Sequence, residues 1–287
     1  EIIGEDEVEN LFAFFVQDQY PISQDMTLTA GIRFDSHPQT GIHVSPRASL
    51  VYEPWDGHIF RASVARAFRN PSFVESYLDL VFVEPPVTVV SEGDTDLEAE
   101  EITSFEIGYQ TRLLNNRLEF KVDTFYNILD EIIEFVRAEA TPELIHLQFI
   151  NAGKATAYGG EISMVYQIAD WLSAYANYSY QQLEARSDQV QFPLNEEGES
   201  IDSSPEHKFN AGLYAMAESG LNGAVELNVV SDTTFGFLDR TLGFAPVEVD
   251  LDSYNRLDLT DGADVGVLAS GVAAAYTVEA LERRRRL

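Results

Sequence analysis

The chain contains no cysteine and carries little positive charge. The absence of cysteine among 287 residues excludes disulfide bonds, thiolate catalysis and Cys-ligated zinc. There are 48 acidic and 18 basic side chains, and the net charge of −30 argues against a nucleic-acid partner, because binding phosphates requires a basic surface. The hydrophobic fraction of 45% is nevertheless high enough for a packed structure.

Long apolar runs are also missing. The longest uncharged stretch runs from Val265 to Val278 and is about 14 residues long, whereas a membrane-spanning helix needs about 20. The chain therefore predicts no transmembrane helix. The apolar residues instead recur with a period of two, which indicates strands.

The alternation assigns the side chains of each strand to two faces. The apolar set comprises Met26, Leu28, Ile32, Phe34, Phe105, Ile107, Leu118, Phe120, Val122, Leu172, Leu213, Val225 and Leu227. The polar set comprises Thr27, Arg33, Glu106, Glu119, Asp123, Asn177, Asn210 and Glu226. We expect the apolar set to face lipid and the polar set to face a lumen.

The connections between these strands alternate in length. Short ones are predicted at 53–57, 114–116, 168–170 and 218–220, and long ones at about 71–100, 138–149, 184–204 and 232–250. About eleven strands joined in this way predict an all-β fold, an antiparallel transmembrane β-barrel with short periplasmic turns and long extracellular loops. A soluble acidic β-protein that serves as a binding module is the alternative, because a β-sandwich also alternates.

Three segments resemble motifs of TonB-dependent outer-membrane receptors. Residues 65–77 read ARAFRNPSFVESY, and residues 93–100 read GDTDLEAE and are followed at 104–109 by SFEIGY. Residues 151–155 read NAGKA, and GGEI follows at 159–162. The motif positions, which we expect to be structural, are Pro71, Glu75, Leu97, Glu100, Glu106, Gly108, Asn151, Gly153 and Glu161.

The resemblance implies a barrel of 22 strands around an N-terminal plug. At about 24 residues per strand unit such a barrel takes roughly 530 residues, so the chain is expected to be a fragment that supplies about half of it. The implied function is energy-dependent uptake of a scarce nutrient at the outer membrane of a Gram-negative bacterium. A ferric siderophore is the commonest ligand of the family, and cobalamin and oligosaccharides are alternatives. The implied partners are outer-membrane lipid and the TonB complex, which acts through a plug region that we expect to lie outside this chain.

Candidate ligand contacts come from positive charge near the outer end of one strand. Arg61, Arg66 and Arg69 could face an anionic ferric chelate, although they could equally pair with acidic groups in the lumen. We expect no catalytic residues, no metal site and no cofactor, because the five histidines show no metal-binding spacing and no nucleophile motif is present. A passive porin-like channel is the alternative from another functional class.

The end of the chain departs from the alternating pattern. We expect a barrel unit over residues 1–261 and an atypical tail over 262–287, which closes with four consecutive arginines and Leu287 and is explained by truncation or a shifted reading frame. Because the tail is rich in alanine, we expect that residues after 261 add no regularly paired strand.

Overall fold

The computed structural model describes residues 8–185, 204–218, 222–239, 245–260 and 265–270. Strands account for nearly all of the regular structure, as the alternating sequence predicts. They are β1 (Phe12–Pro21), β2 (Met26–His37), β3 (Gly41–Trp55), β4 (His58–Arg69), β5 (Asp79–Glu84), β6 (Val87–Glu92), β7 (Glu100–Leu113), β8 (Leu118–Ala140), β9 (Leu144–Ala169), β10 (Leu172–Ala185), β11 (His207–Met216), β12 (Asn222–Val230), β13 (Thr233–Asp239), β14 (Ala245–Leu251), β15 (Tyr254–Thr260) and β16 (Val265–Ser270). One short helix, α1 (Phe73–Tyr77), follows β4.

The main sheet is an antiparallel meander. Its order is β1-β2-β3-β4-β7-β8-β9-β10-β11-β12-β15-β16, within a 14-stranded sheet in which β5 and β6 lie off this path. Within the described residues β1 pairs only with β2, and β16 pairs only with β15. The sheet is therefore a partial, unclosed barrel, and the predicted fold class is confirmed.

The predicted apolar face is confirmed by the strand register. Leu28 lies opposite Leu50, Leu50 opposite Ala62, Ala62 opposite Ile107, and Ile107 opposite Thr124. Directly opposite residues share a face of the sheet, so the apolar row runs across four strands and ends at Thr124 on the fifth. Ile107 is 67% exposed in the isolated chain, as a side chain that faces hydrocarbon must be.

The polar row runs beside it on the other face. Thr27 lies opposite Val51, Val51 opposite Arg61, Arg61 opposite Gly108, and Gly108 opposite Asp123. Because this row is offset by one residue from the apolar row, its side chains point to the opposite side of the sheet. The two predicted sets are thus separated as expected.

The connections at the two ends of the sheet differ in length, as predicted. The long loop predicted at 138–149 is wrong. Residues 138–149 mostly continue β8 and β9, and only 141–143 form the turn between them. The acidic residues there suggest a loop, yet a hairpin that rises above the bilayer tolerates charge on both faces because water surrounds it. The connection 71–100 contains α1, β5 and β6, and 232–250 contains β13 and β14. Most of 184–204 lies outside the described residues.

The expectation that no paired strand follows residue 261 is wrong for residues 265–270. Strand β16 pairs antiparallel with β15 from Thr260↔Val265 to Asn255↔Ser270. A neighbouring strand supplies backbone partners whatever the side-chain pattern, and the segment carries no proline that would remove a donor. Residues 271–287 lie outside the described part of the chain, and the division at residue 261 stays a prediction.

Buried side chains gather at the outer end of the sheet, the end with the longer connections. A single curved sheet has no second layer, so a core forms only where connecting segments fold over it. The buried apolar residues are Val89, Leu97, Ala99, Val136, Ile145, Leu147, Ala152 and Ala155. Among the described residues no helix has the length and apolarity needed to cross a membrane.

Candidate functional site

The inner, polar face of the sheet encloses a cavity of about 740 Å³. Strands β4, β7, β8 and β9 each contribute charged or polar side chains to its lining, because every second residue of each strand points inward. The lining includes Arg61, Ser63, Glu106, Lys121, Asp123 and Glu161. Acidic and basic groups are therefore mixed on this wall.

Arg61 forms the centre of this cluster. Its Nη2 donates to Asp123 Oδ1 at 2.7 Å, and Lys121 Nζ lies 3.0 Å from the other oxygen of the same carboxylate. The Arg61 side chain reaches Asp123 by passing over Gly108. A Cβ at Gly108 would overlap Asp123 Oδ1 and lie 3.2 Å from Arg61 Nη2, so a larger residue here would require the Asp123 carboxylate to move.

Two further motif residues lie on the same wall. The Ser63 hydroxyl donates to Glu106 Oε2 at 3.2 Å, and Ser63 and Glu106 are direct neighbours across β4 and β7. Glu161 lies opposite Asp123 across β8 and β9. The inward orientation expected for both glutamates agrees with this register.

The three candidate arginines do not converge. Arg66 lies opposite Thr103 on the outward face and pairs with Glu101. Arg61 and Arg69 share the inward face in the strand pattern, but eight residues separate them, which is about 26 Å along a strand. The shared anion site that their proximity in sequence suggests is therefore not formed within the described residues.

Arg69 holds the start of the β4–β7 connection to the sheet. Its guanidinium donates in bidentate fashion to Glu75, with Nη1–Oε2 at 2.8 Å and Nη2–Oε1 at 2.9 Å, and it also pairs with Glu100. Glu100 accepts in turn from the backbone N–H of Ile133 at 2.8 Å. One arginine thus joins β4, α1, β7 and β8.

Glu75 also begins helix α1 through a capping box. Its carboxylate accepts from the Ser72 backbone N–H at 2.6 Å, while the Ser72 hydroxyl accepts from the Glu75 N–H at 3.3 Å. Burial raises the pKa of the Glu75 carboxyl, but the hydrogen bonds from Arg69 and Ser72 outweigh burial and leave the pKa below its usual value.

Asn151 fastens the end of the same connection. Its Oδ1 accepts from the Glu98 N–H at 2.8 Å, and its Nδ2 donates to Glu98 O at 3.1 Å and to Glu131 O at 2.8 Å. Leu97, 3% exposed, lies next to this contact. The side chain therefore bonds to backbone groups of two segments. An amide suits this position because it offers both an acceptor and a donor.

The predicted motif residues thus fall into two groups. Glu106, Gly108 and Glu161 lie on the inner wall. An outer group comprises Pro71, Glu75, Leu97, Glu100, Asn151 and Gly153, of which Pro71, Leu97 and Gly153 are buried. Sequence reasoning missed Lys121 and Asp123 as the partners of Arg61. Their only signal was the charged alternation on β8, which does not identify a partner on β4.

Histidines in the described residues have separate partners and form no shared site. His37 Nε2 lies 3.1 Å from Glu9, His58 Nδ1 lies 2.8 Å from the Tyr109 hydroxyl, and His146 Nε2 lies 3.0 Å from Glu92. Over the part of the chain that the structure describes, no group of three or more His, Asp or Glu residues has the geometry of a metal site.

Comparison with known proteins identifies relatives along most of the chain. A family model described as TonB dependent receptor-like, beta-barrel matches residues 4–270. An iron-regulated outer membrane virulence protein of Vibrio cholerae is 26% identical over 231 residues, which are 76% of this chain and 33% of that protein. Ferric enterobactin receptor PirA of Pseudomonas aeruginosa is 24% identical over 222 residues, 73% of this chain and 29% of that protein.

Solved structures share the fold. The ferric enterobactin receptor PfeA of Pseudomonas aeruginosa superposes with a TM-score of 0.69 at 20% identity, covering 88% of this chain and 37% of that one. The siderophore receptor PirA of the same organism superposes with a TM-score of 0.67 at 19% identity, covering 91% and 45%. The chain spans about a third of the length of the curated relatives it matches.

Proposed function

The chain belongs to the TonB-dependent receptor β-barrel family, and from this premise we propose that it forms part of the wall of a receptor for ferric siderophore uptake. Proteins of this family lie in the outer membrane of Gram-negative bacteria, and this location agrees with the exposed apolar face. The soluble acidic β-protein is thereby excluded. The family match over residues 4–270 is the observation that carries the proposal.

The relatives support iron as the cargo. One is named for iron regulation and another for ferric enterobactin. We extend to this chain only the shared class, a ferric chelate taken up with energy. The relatives are receptors, and we propose that this chain likewise carries out no catalytic reaction.

Each face of the sheet has a proposed partner. The apolar face contacts outer-membrane lipid, and the polar face with its mixed charges contacts a plug region, through which the TonB complex delivers energy. The connections at the outer end, including 71–100 and 184–204, contact the ligand. Of the candidate arginines, Arg61 lies at the lumen cavity, whereas Arg66 and Arg69 organise the outer end through their carboxylate partners.

Uptake of a radiolabelled ferric chelate by cells that produce the protein tests this function. Transport should stop when a protonophore dissipates the proton-motive force, whereas binding to the cell surface should persist. Cells that lack the protein serve as the control for non-specific entry. Uptake that continues at the same rate without the proton-motive force would instead identify a passive channel.

A further inference from the structure

The outer end of the sheet is strongly acidic. We define the outer mouth as residues 70–101 and 128–154, which form the β4–β7 connection with the start of β7, and the outer halves of β8 and β9. Residues 70–101 contain nine Asp and Glu residues and no Lys or Arg. Residues 128–154 contain five Asp and Glu residues and two basic ones, Arg137 and Lys154. Acidic side chains therefore outnumber basic ones by 14 to 2.

The basic groups in and beside the mouth are already engaged by protein carboxylates or other groups. Arg137 makes an interaction of its own. The other basic residues, Arg66 and Arg69 at the end of β4 and Lys154 in β9, each have an acidic partner. The ion pairs are Arg66–Glu101, Arg69–Glu75, Arg69–Glu100 and Lys154–Asp130, the last at 3.7 Å. An anionic ligand would have to displace one of these carboxylates to obtain a positive charge.

A polar cavity of about 800 Å³ opens within this charged region. Its lining combines neutral hydrogen-bonding groups with five carboxylates and one basic residue, Lys154, which pairs with Asp130. The carboxylates belong to Asp96, Glu98, Glu101, Asp130 and Glu131. Asp96 and Glu98 are exposed to solvent, so their charges act on any molecule that approaches the mouth. A cavity whose lining carries a net negative charge concentrates positively charged ligands and slows the approach of negatively charged ones.

We propose that the ligand captured at the outer mouth is a ferric chelate with a net positive charge. The inference rests on the proposed receptor function and specifies the class of siderophore complex. A positively charged ferric trihydroxamate, whose iron is held by three hydroxamate groups and which bears a pendant ammonium group, fits both the charge and the neutral hydrogen-bond donors of the cavity. A ferric triscatecholate, which is trianionic, meets net repulsion from the excess of acidic side chains at the mouth.

Three ferric chelates that share their iron coordination and differ in the charge of one terminal group test this assignment. A linear trihydroxamate can carry its terminal amine as the ammonium form, as the neutral N-acetyl form or as the negative N-succinyl form, with the iron coordination unchanged. Affinities for the native outer-membrane protein are measured by fluorescence quenching in detergent. We expect the ammonium chelate to bind about tenfold more tightly than the succinyl chelate at low salt, and the ratio to shrink at 0.5 M salt because screening shortens the range of the interaction.

A matched pair of variants locates the effect at the mouth. Asp96→Asn combined with Glu98→Gln should reduce the ammonium-to-succinyl ratio about threefold, because two charges leave the cavity. Asp56→Asn combined with Asp170→Asn removes two carboxylates from turns at the opposite end and should leave the ratio unchanged.

Two results separate the failure of this inference from that of the function. Equal affinities for the three chelates, or tightest binding of the succinyl form, would overturn the inference. The proposed function as a receptor for ferric chelates would still stand. Failure to bind any of them, together with no uptake of iron chelates by cells, would overturn the proposed function and the inference with it.

Discussion

Single residues on the inner wall are constrained by partners far away in sequence. Gly108 has an ordinary strand conformation, yet a Cβ there would meet the Asp123 carboxylate that Arg61 contacts across it. The absence of a Cβ at Gly108 thus leaves space for an ion pair between two other residues. The ion pair is partly exposed, so its own contribution to stability is modest, about 0.2–1 kcal/mol.

Replacing Gly108 with alanine should displace Asp123 and break the Arg61 contact. We expect a loss of about 1–2 kcal/mol in the free energy of unfolding, since strain adds to the lost ion pair. Urea denaturation of the native protein in detergent measures it. In an Asp123→Ala background the same substitution should cost clearly less, because the overlapping atom is gone. Equal costs in both backgrounds would contradict this account of Gly108.

The stability of the β4–β7 connection should depend on pH through Glu75. Because its folded pKa lies below the unfolded value, its stabilising effect is present above the unfolded pKa of about 4.3 and is lost as pH falls through the folded pKa. Hydrogen exchange at helix α1 should therefore accelerate on acidification through this range. Glu75→Gln should largely remove that acceleration, and Glu98→Gln should preserve it. Identical pH profiles for Glu75→Gln and the native protein would show that another group is responsible.

At the scale of strands, the sequence predicts which face each side chain occupies but not which residues meet. Strict alternation on β2 and β7 is sufficient to place Leu28 and Ile107 on one face, because a slip by one residue would bury charge in lipid. The partner of Arg61 could not be predicted, because 62 positions separate it from Asp123. The hairpin over 138–149 was missed because charged residues above the bilayer need not alternate.

The two faces of β11 should respond differently to an introduced charge. Leu213→Arg places a guanidinium on the apolar face and should destabilise the barrel by about 2–4 kcal/mol, whereas Asn210→Arg on the polar face should change little. Unfolding in lipid vesicles, followed by tryptophan fluorescence, measures the difference. Comparable effects of the two substitutions would contradict the assignment of faces.

For the whole molecule, family membership and an open sheet of outer-membrane type predict a folded state that resists detergent. The native protein should remain in the membrane fraction and should migrate faster in gel electrophoresis before heating than after it, because a barrel keeps its compact form in detergent. A purely soluble protein that shows no heat-dependent shift would be incompatible with this architecture. The identity of the ligand could not be predicted at this scale, because one fold hosts sites for different ligands.

The hairpin of β8 and β9 is longer than the membrane is thick. Its strands contain 23 and 26 residues and are joined to their neighbours on the inner side of the membrane by short turns. A 23-residue strand is about 75 Å long, and at a tilt of about 45° it rises roughly 50 Å, twice the height of the apolar band of about 25 Å. The excess of about 25 Å projects outward beyond the apolar band. We therefore expect an antibody raised against the turn at 141–143 to bind intact bacteria.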